Sequence, residues 1–160
     1  MAETREFTRM LVILDAQSIP VARSRALELS GVIDGMVRRW FPRARLRLES
    51  RAIRRVYSDE GSHDAAAHLG ARAGWRRGGT GYAEDVVHYI ASDARAFSLE
   101  RPQETALVLC TDNPVFERLI EELCAEGVNL RLVSGAGGPR AELVAELGND
   151  EVATLPRVFA

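Results

Sequence analysis

Lysine is absent from this sequence: all 21 basic residues of the 160 are arginine. That absence excludes mechanisms built on a lysine amine, such as a Schiff base or the lysine of a phosphate-binding P-loop. Cysteine is scarce as well. Cys110 and Cys124 are too few for a disulfide framework and sit at neither metal-ligand nor redox spacing, so both read as buried thiols. No apolar run approaches the roughly 18 to 20 residues that cross a bilayer. The opening MAETREFTRM lacks the basic, apolar and small-residue succession of a signal peptide. The expectation is a cytoplasmic protein with no membrane partner. Repeats, low-complexity stretches and long linkers are also missing, and 46% hydrophobic residues suffice for one core, so a single domain over residues 1–160 is expected.

What is present is a sorted distribution of charge. Residues 38–77 carry 11 arginines against Glu49, Asp59, Glu60 and Asp64, a local balance of +7 that leaves −9 for the rest of a chain whose net charge is −2. An acidic protein with one basic segment suggests a polyanion reached through that segment, although arginine could simply fill solvated positions in a lysine-free composition.

Two kinds of hydrophobic pattern alternate along the chain. Met10 to Leu14 and Ala106 to Cys110 are continuous apolar runs of the kind found in strands buried on both faces, and Val128 to Val133 makes a third strand. Leu29, Ile33, Met36, Val37 and Trp40 recur at helical spacing until Pro42, and Ala83 to Phe97 and Val115 to Cys124 do the same. A strand near Ala52 to Ser58 follows a looser arm from residue 43, a short helix covers Ser62 to Ala73 with Ser62 as its cap, and Arg76 to Gly81 reads as a flexible loop. Another helix is expected over Arg140 to Leu147 and a short apolar piece at Val152 to Leu155. Strand and helix in alternation imply parallel strands joined by right-handed crossovers, hence a three-layer α/β/α sandwich with a mostly parallel sheet.

In such a sheet the ligand crevice lies beyond the carboxyl ends of the strands, near the point where strand order reverses. Asp15 and Asp112 each follow directly on a buried strand run, and Glu84 and Asp85 open a helix. Clustered carboxylates repel one another unless a cation lies among them, and hard oxygen ligands favour Mg²⁺ or Mn²⁺ acting on phosphate groups. Each acid also has a plainer use, Asp15 in a turn, Asp112 as a helix cap, Glu84 and Asp85 as partners of a helix dipole. Trp75, followed by Arg76 and Arg77, could stack a base while the guanidinium groups hold phosphates, or could close a helix as a core residue. The turn Gly135 to Gly138 could cradle a phosphate, which would make the chain a nucleotide-binding module, but its spacing fits no known fingerprint. His63, His68 and His88 are scattered and receive no metal.

The segments LVILDAQS, GYAEDVVHYIASDA and LVLCTDNPVFERLIEELCAEGVNLRLVSG resemble the NYN domain, a relative of the PIN-domain nucleases, and the resemblance runs from about Thr8 to the end. It implies a PIN-like fold and an acidic cluster binding Mg²⁺ or Mn²⁺ for RNA cleavage. Carried over by position, Asp15, Asp85 and Asp112 would hold the metal, with Asp93 the other match on the middle helix. Ser18 and Asn113 would orient water or phosphate, and Arg54, Arg55, Arg76 and Arg77, with Trp75, would contact RNA. The sequence departs from the family pattern at its centre: Ser18 stands where the family has asparagine, Pro114 where it has a second aspartate, and the lysine of the middle helix is missing. The expected function is therefore a metal-dependent endoribonuclease. The alternative is a degenerate NYN domain that binds RNA or a protein, with a homodimer or a partner completing the site left open.

Overall fold

A computed structural model describes residues 6–42, 52–81 and 83–160. The arm expected over residues 43–51, Tyr82 and the side chain of Glu84 lie outside the described residues. In chain order the elements are β1 (Arg9–Asp15), α1 (Ala26–Trp40), β2 (Ala52–Asp59), α2 (His63–Ala73), β3 (Arg76–Gly81), α3 (Ala83–Glu100), β4 (Thr105–Cys110), α4 (Glu117–Ala125), β5 (Asn129–Ser134), α5 (Ala141–Val144) and β6 (Val152–Thr154).

All pairings in the six-stranded sheet are parallel, in the order β3-β2-β1-β4-β5-β6. The two apolar runs with most hydrophobic character, β1 and β4, lie side by side at its centre, with Leu11 beside Leu107 and Ile13 beside Leu109. Side chains alternate across a strand. Met10, Val12 and Leu14 therefore enter the core on one face with Leu29, Ile33 and Met36 of α1 and Leu69 of α2. Leu11 and Ile13 enter the other with Val86 and Ile90 of α3 and Leu119, Ile120 and Leu123 of α4. The result is the three-layer α/β/α sandwich expected from the alternation of patterns. The reversal of strand order falls between β1 and β4, so the crevice at the switch point opens between their carboxyl ends.

Several local expectations change. Arg76 to Gly81 is an edge strand rather than a flexible loop, paired with β2 through Arg55–Arg76, Val56–Arg77 and Ser58–Thr80. Its glycines have a packing purpose: a Cβ on Gly78 would collide with the Tyr57 ring, and one on Gly79 with the Tyr89 ring. Ser62 does not cap α2 with its side chain. It works in the preceding turn, where Asp59 Oδ1 accepts from the Ser62 N–H and the Asp59 N–H donates to Ser62 Oγ, a reciprocal capping box. The tail helix is shortened to Ala141–Val144.

Tyr57 is fully buried, and although the Tyr89 ring is exposed, a Cβ on Gly79 would lie 2.7 Å from Tyr89 Cβ. Gly78→Ala is expected to destabilise the protein by about 1–3 kcal/mol through overpacking against an immobile ring. Gly79→Ala should cost at least as much, because turning the exposed Tyr89 ring leaves its Cβ, fixed to α3, in the way. Urea denaturation of the two variants checks both losses, and a variant as stable as the parent would contradict this packing account.

Candidate functional site at the switch point

β1 ends in Asp15, and the chain turns there because Ile19 N–H donates to the Asp15 carbonyl at 3.0 Å. The side chain of Asp15 is only 1% exposed. A carboxylate taken out of water needs donors on its oxygens, and four converge on it. Oδ1 accepts from the backbone N–H of Gln17 at 3.1 Å and of Ser18 at 3.4 Å. Oδ2 accepts from the hydroxyls of Ser18 and Thr111, each at 2.8 Å.

The two hydroxyls are themselves fully used. Ser18 Oγ accepts from the Asp112 N–H at 3.0 Å and Thr111 Oγ1 from the Asn113 N–H at 3.0 Å. With both protons committed to Asp15, the 3.1 Å approach of Ser18 Oγ to Thr111 Oγ1 is a contact that the shared acceptor imposes. Asp15, Ser18 and Thr111 thus form a closed knot that ties the turn after β1 to the strand end of β4.

Asp112 is held next to this knot, half-buried, by β5. Its Oδ1 accepts from the Gly135 N–H at 2.8 Å, and a Cβ on Gly135 would strike the carboxylate, so glycine is needed for the approach. Because that N–H is spent on Asp112, the Gly135 to Gly138 turn has lost a donor that a phosphate cradle would use. Asp112 does not cap the following helix. Asn113 does, its Oδ1 accepting from the Val115 N–H at 3.1 Å.

The remaining candidate residues fall elsewhere. Asp85 stands exposed in the first turn of α3, at the same end of the sheet, without a bond to Asp15 or Asp112. Asp93 accepts from the Tyr57 hydroxyl at 2.6 Å and pairs with Arg55 at 3.6 Å. Among the described residues no three His, Cys, Asp or Glu side chains are grouped so as to hold a metal. The donor set around Asp15 therefore does not fit a Mg²⁺ or Mn²⁺ centre of clustered carboxylates: its oxygens are occupied by hydroxyl and amide protons.

Three of the expected RNA contacts, Trp75, Arg54 and Arg55, are structural. Trp75 is 3% exposed, with its indole N–H donating to Ser30 Oγ at 2.8 Å, so it packs in the core and offers no face to a base. Arg54 pairs with Asp34 at 3.0 Å, donates to the Ala73 carbonyl and lies 5.5 Å from the Trp75 ring centroid, which binds β2 to α1 and to the end of α2. Arg55 is taken by Asp93. Arg76 and Arg77 are exposed, Arg77 lying 2.7 Å from His63 Nδ1. Thr111, central to the knot, reads from sequence as an ordinary strand-end polar residue. Its position next to Asp112 was the available signal.

No family model and no curated protein matches this sequence. Among solved structures, a protein of unknown function from Vibrio parahaemolyticus RIMD 2210633 is similar in fold, with a TM-score of 0.63 over 99% of each chain at 13% identity.

Removing either hydroxyl leaves the buried carboxylate one donor short. Thr111→Val and Ser18→Ala are each expected to lower stability by about 1–3 kcal/mol, read from chemical denaturation; no loss in either would contradict the closed knot. A second test uses Tyr57. Burial first, then the bond to Asp93, pushes its phenol well above the ordinary 10.0. The folded protein keeps this proton where the unfolded chain releases it, so stability falls as pH rises above about 10. Tyr57→Phe should show a shallower alkaline decline than the parent in pH-dependent unfolding, and an identical decline would refute the assignment.

Proposed function

We propose that this chain is an NYN-like domain that binds RNA and does not cut it. The observation that carries the proposal is the closed hydrogen-bond knot on Asp15. A nuclease of the kind the resemblance implies needs carboxylate oxygens free for a cation that activates water and stabilises charge on the phosphate. Here the oxygens of Asp15 are filled from inside the protein, Asp85 stands apart, and Asp93 is committed to Tyr57 and Arg55. Ser18, which replaces the family's asparagine, is one of the groups that fill them. Pro114, which replaces the second aspartate, brings no oxygen ligand from its side chain.

RNA as the ligand is supported by the basic character of residues 38–77 and by arginine as the only cation, since the planar guanidinium matches phosphate oxygens two at a time. Arg76 remains available on the edge strand, Arg77 is exposed but bonded to the His63 ring, and Arg54, Arg55 and Trp75 hold the domain together.

Incubation with structured and single-stranded RNA in Mn²⁺ or Mg²⁺ is expected to give no cleavage above that of a chelator control, while the same RNA is retained in a gel-shift experiment. Chelator-sensitive cleavage that Asp112→Asn abolishes would overturn the proposal and make the domain a working ribonuclease.

A further inference from the structure

In a parallel sheet every strand begins, and every crossover helix ends, at the same side of the molecule. On the β1 to β3 half of this fold that side collects arginine. Arg9, Arg54 and Arg76 lie at or near the starts of β1, β2 and β3, Arg38 and Arg39 in the last turn of α1, and Arg72 in the last turn of α2. These residues are scattered over more than sixty positions of sequence, yet the topology brings them to one end.

The end is also concave. A cavity of about 580 Å³ opens there, its wall including Arg9, Arg54, Arg76, Ile53 and Phe97, and no acidic side chain lines it among the described residues. That volume lies within the roughly 300–1,000 Å³ typical of small-molecule sites and is large enough to admit one nucleotide unit. Arg54 is neutralised by Asp34, and Arg9 by Glu100, whose side chain is 67% exposed and so holds its partner only in a solvated pair. Arg38, Arg39, Arg72 and Arg76 are exposed and have no ion-pair partner among the described residues.

The acidic crevice lies at the other end. Asp15 and Asp112 sit beyond the carboxyl ends of β1 and β4, so the length of a strand, roughly 20 Å at about 3.3 Å per residue, separates them from the arginines. A polyanion is attracted to the first end and repelled by the second.

We propose that the nucleic-acid surface of this domain is the amino end of the sheet, with Arg38, Arg39, Arg72 and Arg76 contacting the phosphates of an RNA strand, and not the switch-point crevice. The proposal rests on the RNA-binding function proposed above and fixes where it resides. It also gives that function a physical basis: a strand held at this end is not presented to Asp15 or Asp112.

The test is fluorescence anisotropy of the full chain with a labelled single-stranded oligouridylate over a salt series. It compares the parent, an amino-end variant (Arg38→Gln, Arg39→Gln, Arg72→Gln, Arg76→Gln) and Asp112→Asn at the crevice. All four arginines are solvent-exposed, so circular dichroism and Tm are expected to match the parent and certify the fold. The amino-end variant should bind at least tenfold more weakly, with the slope of log affinity against log salt reduced by about 0.7 for each phosphate contact removed. Asp112→Asn should bind as well as the parent or better, because it removes a negative charge. Binding that survives in the amino-end variant but weakens in Asp112→Asn would overturn the location while leaving RNA binding intact. No binding by the parent at low salt would overturn both. If the fourfold variant fails to fold, Arg38→Gln/Arg39→Gln and Arg76→Gln assayed separately carry the same expectation at smaller amplitude, and an unchanged affinity in both refutes it.

Discussion

A carboxylate buried at the centre of a protein has to be answered by protons, and the most consequential part of this fold is how Asp15 is answered. The central strands β1 and β4 run in parallel register, so the residues just past their ends emerge side by side. Asp15 and Thr111 meet there because Ile13 and Leu109 are paired two residues earlier. The turn after β1 adds Ser18, and the two hydroxyls with two backbone N–H groups complete the shell. The backbone N–H groups of Asp112 and Asn113 then rest on those hydroxyls. The path of the chain into α4 is therefore set by the same knot. A half-satisfied network would be worse than an apolar plug at this position, and the completeness of this one favours a fixed structural junction over a site that must open to a cation.

The parallel topology also gives the molecule two chemically different ends. The carboxyl ends of the strands carry Asp15, Asp59 and Asp112, and the helix starts add Asp64 and Asp85. The amino ends on the β1 to β3 half carry arginines. Neither end is acidic or basic by virtue of one stretch of sequence alone. Arg9 joins Arg38 and Arg76 only because strand starts and helix ends coincide in space, so a chain with a formal charge of −2 can still present a positive face.

The sheet and its layers were legible because hydrophobic periodicity is a local signal and the fold obeys it: the runs at Met10 and Ala106 became the two central strands, and the helical spacing from Leu29 to Val37 became the buried stripe of α1. Arg76 to Gly81 was not legible, since it has no apolar residue. It is a strand because its glycines let the backbone lie against Tyr57 and Tyr89, neighbours that are distant in sequence. For the same reason the position of Asp15 and Asp112 at strand ends could be read, while the occupation of their oxygens could not, because it depends on contacts across more than ninety residues. Trp75 illustrates the converse error. Its neighbours Arg76 and Arg77 suggest an exposed nucleic-acid contact, but Ser30 on α1 supplies the indole with a buried acceptor, and Arg54 stacks near it from β2.

The account stands or falls on whether the switch-point acids are a junction or a metal centre. Thermal unfolding of the parent protein in chelator and across a millimolar Mn²⁺ titration decides this most directly, since a ligand that binds the folded state raises its Tm in proportion to the logarithm of its concentration above Kd. The closed knot predicts the same Tm in chelator and in Mn²⁺. A Tm that climbs with the logarithm of Mn²⁺ concentration, and does so no longer in Asp112→Asn, would show that a cation binds at the switch-point acids, and would contradict the account.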